Sequence, residues 1–211
     1  MEKIKPFVIS ISRQLGCGGS YVGQQLAKKL NIRYVDREII SKAAEMFSVL
    51  EEDIESRDEK ITSVWQTLFL VNTYHPDVYL PKSTMLPTSS ELYDVEKEII
   101  ISAASKSPAI IIGRCGFHIL KDAQNHVAVF LYGDKEFRNK RIQSVYNVSE
   151  DEANKMITRC DNDRAHYCKS FTGKEWTNLT NYDLSVDVSK TGIDNAVKLI
   201  IKYLKYRGIV N

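Results

Sequence analysis

Phe7-Val-Ile-Ser-Ile-Ser-Arg-Gln-Leu-Gly-Cys-Gly-Gly-Ser-Tyr-Val-Gly-Gln-Gln-Leu-Ala-Lys-Lys-Leu30 runs from an apolar strand through a glycine-rich bend directly into an amphipathic helix. That order is the layout of a phosphate cradle. Glycines let successive backbone N–H groups turn toward one anion, and the N-terminus of the following helix adds its partial positive charge. Set against the phosphate-loop pattern GxxxxGK[ST], the window from Arg13 to Ser20 reads RxxxxGGS, with Arg13 at the first glycine and Gly19 at the lysine. Ser20 keeps the hydroxyl that would face a magnesium ion. The bland reading of the same residues is a tight strand-to-helix turn. Behind the bend, Val22, Leu26 and Leu30 fall at i, i+4 and i+8, while Gly23 and Ala27 offer small surfaces on nearly the same face. A helix of that kind lies closely on a sheet.

Working outward, continuous β-branched runs mark strands at Phe7 to Ser12, Ala109 to Gly113, Val127 to Tyr132 and Tyr182 to Val188, with a shorter one from Ile32 to Asp36. Continuous rather than alternating apolar runs belong to strands buried on both faces. The helical patterns between them supply the crossovers that parallel strands need, so the expected fold is an α/β sheet of five parallel strands with helices on both faces. Asp36 is placed to cap a helix from Arg37 to Phe47, Ser90 precedes one reaching about Ser105, and Asp134 opens one to Tyr146. Ser149 and Glu152 form a capping-box pattern for a helix through about Cys168, and the last helix spans about Ile193 to Tyr206. Residues 60–90 break the rhythm: after an apolar stretch at Ile61 to Val71, the segment from Tyr74 to Thr88 carries three of the five prolines and reads as a functional flap or loop.

Composition narrows the function classes. The 211 residues suit one domain with an attached lid, and 43% apolar with 27% charged residues is ordinary for a globular protein. With 29 basic and 27 acidic residues the net charge is +2, too balanced to argue for nucleic acid or an anionic membrane as partner. No apolar stretch approaches the roughly 18 residues of a membrane span, and a cytoplasmic location is expected. Cys17, Cys115, Cys160 and Cys168 show no zinc spacing and read as free thiols; Cys17 and Cys115, in glycine-flanked turns, are either reactive groups near the site or packing. Nothing in the spacing of His75, His118, His126 and His166 assembles a metal centre.

The segments SRQLGCGGSYVGQQLAKKL, YVDREII, IIIGRCGFHIL, FLYGDKEFRNKRI, DNDRAHYCKSFTGKEW and NYDLSVDVSKTGIDNAV, taken in that order, resemble the cytidylate kinase-like group of P-loop proteins, relatives of the nucleoside monophosphate kinases. The resemblance covers nearly the whole chain. It implies a P-loop kinase fold in a single domain over residues 1–211, with a monophosphate-binding insertion at 37–95 and a lid at 138–178. It implies ATP and Mg2+ as cofactors and a small nucleotide as substrate, with the ATP γ-phosphate passing to CMP or a related nucleoside monophosphate.

Position by position, the resemblance implies that Gly16, Cys17, Gly18, Gly19, Ser20 and Tyr21 wrap the donor phosphates. Asp36, Arg37, Lys42, Gly113, Arg138 and Arg141 fall at acceptor- or lid-side positions. Arg114, Asp161 and Arg164 fall at positions of catalytic weight. Three positions depart from the pattern: Gly19 replaces the lysine, Ile112 stands where an acidic residue precedes the glycine-arginine pair, and Cys115 replaces the aspartate after it. Arg13 or a lid arginine is then expected to supply the missing positive charge, because phosphoryl transfer depends on cations fixed around the transferring group. Asp161 and Arg164 also have a plainer reading as an i,i+3 ion pair, and Arg138 and Arg141 as a solvated helix face. Trp176, with Phe171, Tyr167 and Tyr182, is open to base stacking or to core packing, and Gly173 to a hinge. A nucleotide-binding sensor without efficient turnover remains the alternative function.

Overall fold

The computed structural model describes residues 7–36 and 90–211. The expected helix from Arg37 to Phe47, the apolar stretch at Ile61 to Val71, the proline-bearing segment, and with them Arg37, Lys42 and most of the 37–95 insertion, lie outside the described residues. Five strands form one sheet: β1 (Val8–Arg13), β2 (Arg33–Val35), β3 (Ala109–Ile112), β4 (His126–Tyr132) and β5 (Leu184–Asp187). The order across the sheet is β2-β3-β1-β4-β5, and every neighbouring pair is parallel.

Strands β3 and β4 are continuous apolar runs because each is covered twice, whereas β1 buries Ile9 and Ile11 on one face and Ser10 and Ser12 on the other. Along β4, Val127, Val129 and Leu131 enter the core beneath α1 (Gly19–Leu30), while Ala128 and Phe130 enter a second cluster with Cys115, Phe117, Cys168 and Trp176 on the opposite face. Between α1 and the sheet the approach is close. A Cβ added at Gly23 would come 2.7 Å from Ile112 Cδ1 and 2.9 Å from Tyr34 Cε2, so the small face foreseen on this helix is a packing requirement. Val22 and Leu26, both fully buried, complete that face; truncating a side chain such as Leu26 to alanine costs about 2–5 kcal/mol.

Among the described residues the remaining α-helices are α2 (Ser90–Lys106), the single turn α3 (Gly116–Ile119), α4 (Lys135–Tyr146), α5 (Glu150–Thr172), the short α6 (Val188–Thr191) and α7 (Ile193–Tyr206). The starts of α4, α5 and α6 follow capping chemistry. The Phe137 N–H donates to Asp134, and Ser149 and Glu152 make a complete capping box at the start of α5. Helix α5 runs past Cys168 to Thr172 and stops at Gly173, which closes it in the left-handed conformation. The expected strand to Val188 is too long. Asp187 accepts the Ser189 N–H at 3.0 Å, capping a new turn, so the strand ends at Asp187 and Val188 opens α6. Trp176 is core: it packs edge-on against Phe130, with centroids 5.6 Å apart, and its carbonyl accepts the Tyr182 hydroxyl.

Strand β1 is central, with the first crossover leaving toward β2 and the later ones placing β3 and β4 on either side of it. The crevice beyond the carboxyl ends of β1 and β3 is therefore the topological switch point, where open parallel sheets bind ligands.

Candidate phosphate-loop site

The carboxyl end of β1 opens into residues 14–18. Gly18, left-handed at φ 69°, starts α1 with no side-chain cap and no acidic residue in the first turn. By contrast α4, α5 and α6 each begin at a side chain that accepts one of their first N–H groups, and α7, which like α3 lacks a side-chain cap, carries Asp194 in its first turn. The first N–H groups of a helix have no intrahelical acceptor. At α1 no side chain caps them, and the helix dipole there is not offset by an acidic residue, an arrangement that favours an anion. Ser20 lies in this turn, half-buried.

Two elements beyond the loop hold its backbone. From α5, Asp161 Oδ1 accepts the Leu15 N–H at 2.9 Å. Its Oδ2 pairs with Arg138 of α4 at 2.5 Å, and Arg138 Nη1 also donates to the Leu15 carbonyl at 3.3 Å. One turn along α5, Arg164 Nη1 donates to the Arg13 carbonyl at 2.8 Å and stands 3.8 Å from Asp161. Arg138, expected on the acceptor or lid side, and Asp161 and Arg164, expected to be catalytic, thus grip the loop that would carry the donor, and Arg138 is buried rather than on a solvated helix face. Behind the loop, Gln14 Oε1 accepts the Gly133 N–H at 3.3 Å.

Around the mouth the remaining positions separate. The aliphatic stem of Arg13 lies over Gly19 and its guanidinium reaches Gly113, at the end of β3. On the opposite flank, Arg141 Nη2 and Ile193 close against Gly18, and the Tyr21 hydroxyl donates to Asp194 at 2.9 Å. Asp36 is half-buried just past β2, the edge strand on the side of β3. Arg114 is left-handed at φ 48° and turned toward α2, where it pairs with Glu96 at 3.0 Å and lies 5.1 Å from the centre of the Tyr167 ring. The Tyr167 hydroxyl donates to the same carboxylate at 2.9 Å, and burial, more than that carboxylate, pushes the phenol well up.

Sequence reasoning missed Glu96, which is fully buried. Its signal was there: Glu96 shares a helical stripe with Ile99, Ile100 and Ala103, all fully buried, and a carboxylate on an apolar stripe needs a buried cation. Leu15 was also missed because its contribution is backbone, which no side-chain pattern reports.

All four thiols are buried and free. Burial pushes the Cys17 thiol up to about 12 and its side chain belongs to the core, which removes it from the candidate reactive groups. Cys115 donates a hydrogen bond to Cys168; that bond and burial hold Cys115 protonated, while the same bond favours the thiolate at Cys168.

The donor set suits a magnesium nucleotide. Among the described residues no three His, Cys, Asp or Glu side chains gather to hold a metal alone. Mg2+ commonly takes one or two protein oxygens and completes its shell with phosphate oxygens and water. Ser20 brings a hydroxyl to the first turn of α1.

Comparison with known proteins agrees with this geometry. Among solved structures, an uncharacterized protein from Eubacterium ventriosum matches with a TM-score of 0.70 at 23% identity, covering 94% of this chain and 98% of that one. Shikimate kinase from Bacteroides thetaiotaomicron matches with a TM-score of 0.52 at 13% identity, covering 94% and 98%. Shikimate kinase from Acinetobacter baumannii, solved with shikimate, matches with 0.52 at 12%, covering 97% and 96%. At such identities the likeness is one of fold, the P-loop kinase fold. No curated protein sequence matches. The family model for the cytidylate kinase-like family matches residues 8–190, and the chain belongs to that family.

Proposed function

We propose that the protein is a kinase that transfers the γ-phosphate of magnesium-bound ATP to a small nucleotide-like acceptor, with CMP or a related nucleoside monophosphate as the acceptor class. The observation that carries this reading is the uncapped start of α1 at a left-handed glycine, beyond the carboxyl end of the central strand. In the transfer, the bond from the γ-phosphorus to the β–γ bridging oxygen breaks as one to an acceptor phosphate oxygen forms. No strong base is needed, since the acceptor is already an anion, and the protein's work is alignment and charge neutralisation.

Each part of the site has a share. The amides at the start of α1 hold the donor phosphates, and Tyr21 follows them along the helix. Bound magnesium would spread the developing charge between the β- and γ-phosphates, with Ser20 as its protein oxygen. Asp161, Arg138 and Arg164 keep the loop in shape, while Gly113 and Asp36 border the acceptor side. The 37–95 insertion would complete the acceptor site and the 138–178 region would act as the lid. All four cysteines are free thiols, which suits a reducing compartment, and no described helix is long and apolar enough to cross a membrane. We assign the enzyme to the cytoplasm on that basis.

Gly19 at the lysine position favours a second reading, a nucleotide sensor that binds without efficient turnover. Incubation with ATP, Mg2+ and a panel of nucleoside monophosphates, with chromatography of the products, separates the two. ADP with an equal amount of a new diphosphate establishes the kinase. Tight ATP binding with no diphosphate establishes the sensor.

A further inference from the structure

We propose that the cation of this phosphate loop has moved from position 19 to position 13: Arg13 occupies the space of the missing lysine and binds the terminal phosphate of the donor. The proposal rests on the phosphate-site reading above and decides which arginine serves it.

The decisive geometry is at Gly19. A Cβ built there would stand 2.5 Å from Arg13 Cγ and 3.0 Å from Arg13 Cβ and Cδ. The stem of Arg13 therefore fills the volume through which any side chain at 19 would have to leave the backbone. A lysine at 19 and an arginine at 13 exclude each other. Two departures from the phosphate-loop pattern, arginine for the first glycine and glycine for the lysine, become one coupled exchange.

The far end of Arg13 strengthens the assignment. Its Nη1 lies 2.6 Å from where a Cβ on Gly113 would be, and Gly113 is itself left-handed at φ 76°. Arg13 thus extends from the first residue of α1 to the end of β3, from the donor loop to the glycine that borders the acceptor side. A group bridging those two edges lies beside the phosphate that passes between them. The other arginines are placed differently. Arg138 and Arg164 hold loop carbonyls, Arg114 pairs with Glu96, and Arg141 closes on the opposite flank at Gly18. Chemically the exchange is sound: a guanidinium keeps its charge at any physiological pH and offers two parallel N–H groups to two phosphate oxygens, where an ammonium offers a point charge.

Titration calorimetry with Mg·ATP and with inorganic tripolyphosphate tests this on the full chain, comparing wild type, Arg13→Gln, Gly19→Lys and the double variant Arg13→Gly with Gly19→Lys. Arg13→Gln is expected to weaken uptake about ten- to hundredfold, the range for a lost charged hydrogen bond. Gly19→Lys is expected to weaken it as well, through the collision with Arg13. The double variant, with its cation back at 19, is expected to recover to within about threefold of wild type. Wild-type uptake with an equally good Arg13→Gln, or a double variant no better than either single one, overturns the relocation while leaving the phosphate site standing. No uptake by wild type removes the site itself and the relocation with it. Because a variant at the end of the central strand can fold poorly, phenylglyoxal labelling of wild type read by peptide mass spectrometry provides a second measurement. Saturating tripolyphosphate is expected to protect Arg13, and an unchanged Arg13 labelling rate overturns the proposal.

Discussion

Asp161 accepts the backbone N–H of Leu15 at 2.9 Å across 146 positions of sequence, so the phosphate loop is held from outside by the long helix α5. The consequence is a loop whose shape depends on a carboxylate that no pattern in the loop itself reveals. Asp161→Ala leaves Arg138 buried without its partner, and removal of one member of such a pair is expected to cost about 2 kcal/mol or more. Urea denaturation of Asp161→Ala, Arg138→Ala and the double variant checks this. The expected coupling is about 1–3 kcal/mol, with the double variant well short of the sum of the singles, and additive losses would contradict it.

Glu96 links three elements by pairing with Arg114 after β3 and accepting the Tyr167 hydroxyl of α5. Glu96→Ala strands a guanidinium and a phenol at once and is expected to cost about 3 kcal/mol. Tyr167→Phe removes one hydrogen bond and should cost about 1 kcal/mol. Thermal and urea melts rank the two variants; equal losses would show that the ion pair contributes nothing beyond the hydrogen bond.

His126, at the start of β4, is hydrogen-bonded to Ser10 at 2.8 Å, and burial brings its imidazole down from 6.5 to about 4. Above the unfolded value both states are neutral and no stability depends on pH. Between the two values the unfolded chain takes up a proton that the folded one refuses, so stability falls as pH drops from 6.5 toward 4, by about 3 kcal/mol from this residue. Denaturation across that range should show the stability gap between wild type and His126→Gln narrowing as the pH is lowered. A constant gap would contradict the assignment.

Much of this was legible in the sequence, for identifiable reasons. Strands β3 and β4 are apolar on both faces because helices cover both faces, and a continuous run such as Ala109 to Ile112 carries that information without tertiary knowledge. The cap at Asp134 and the box at Ser149 and Glu152 are local chemistry, and both formed as read. Val188 was misplaced because its apolar side chain continues the strand pattern while the signal that stops it, Asp187 capping Ser189, lies in the backbone geometry. At the site, the glycine pattern located the loop, but the roles of Arg138 and Asp161 depend on two helices meeting at Leu15, which sequence spacing does not encode. Likewise Arg13 was visible as the odd residue in the loop, whereas its collision with any side chain at 19 is a distance and exists only in the fold.

The central claim is that the amides opening α1 hold the phosphates of a nucleotide. The most direct measurement is a 1H–15N correlation spectrum of the full chain titrated with Mg·ATP. Large, saturable shifts of the Gly18, Gly19 and Ser20 amides are expected, with the Leu15 amide moving little because Asp161 already holds it. Saturation of the protein with those three amides unmoved would contradict the claim.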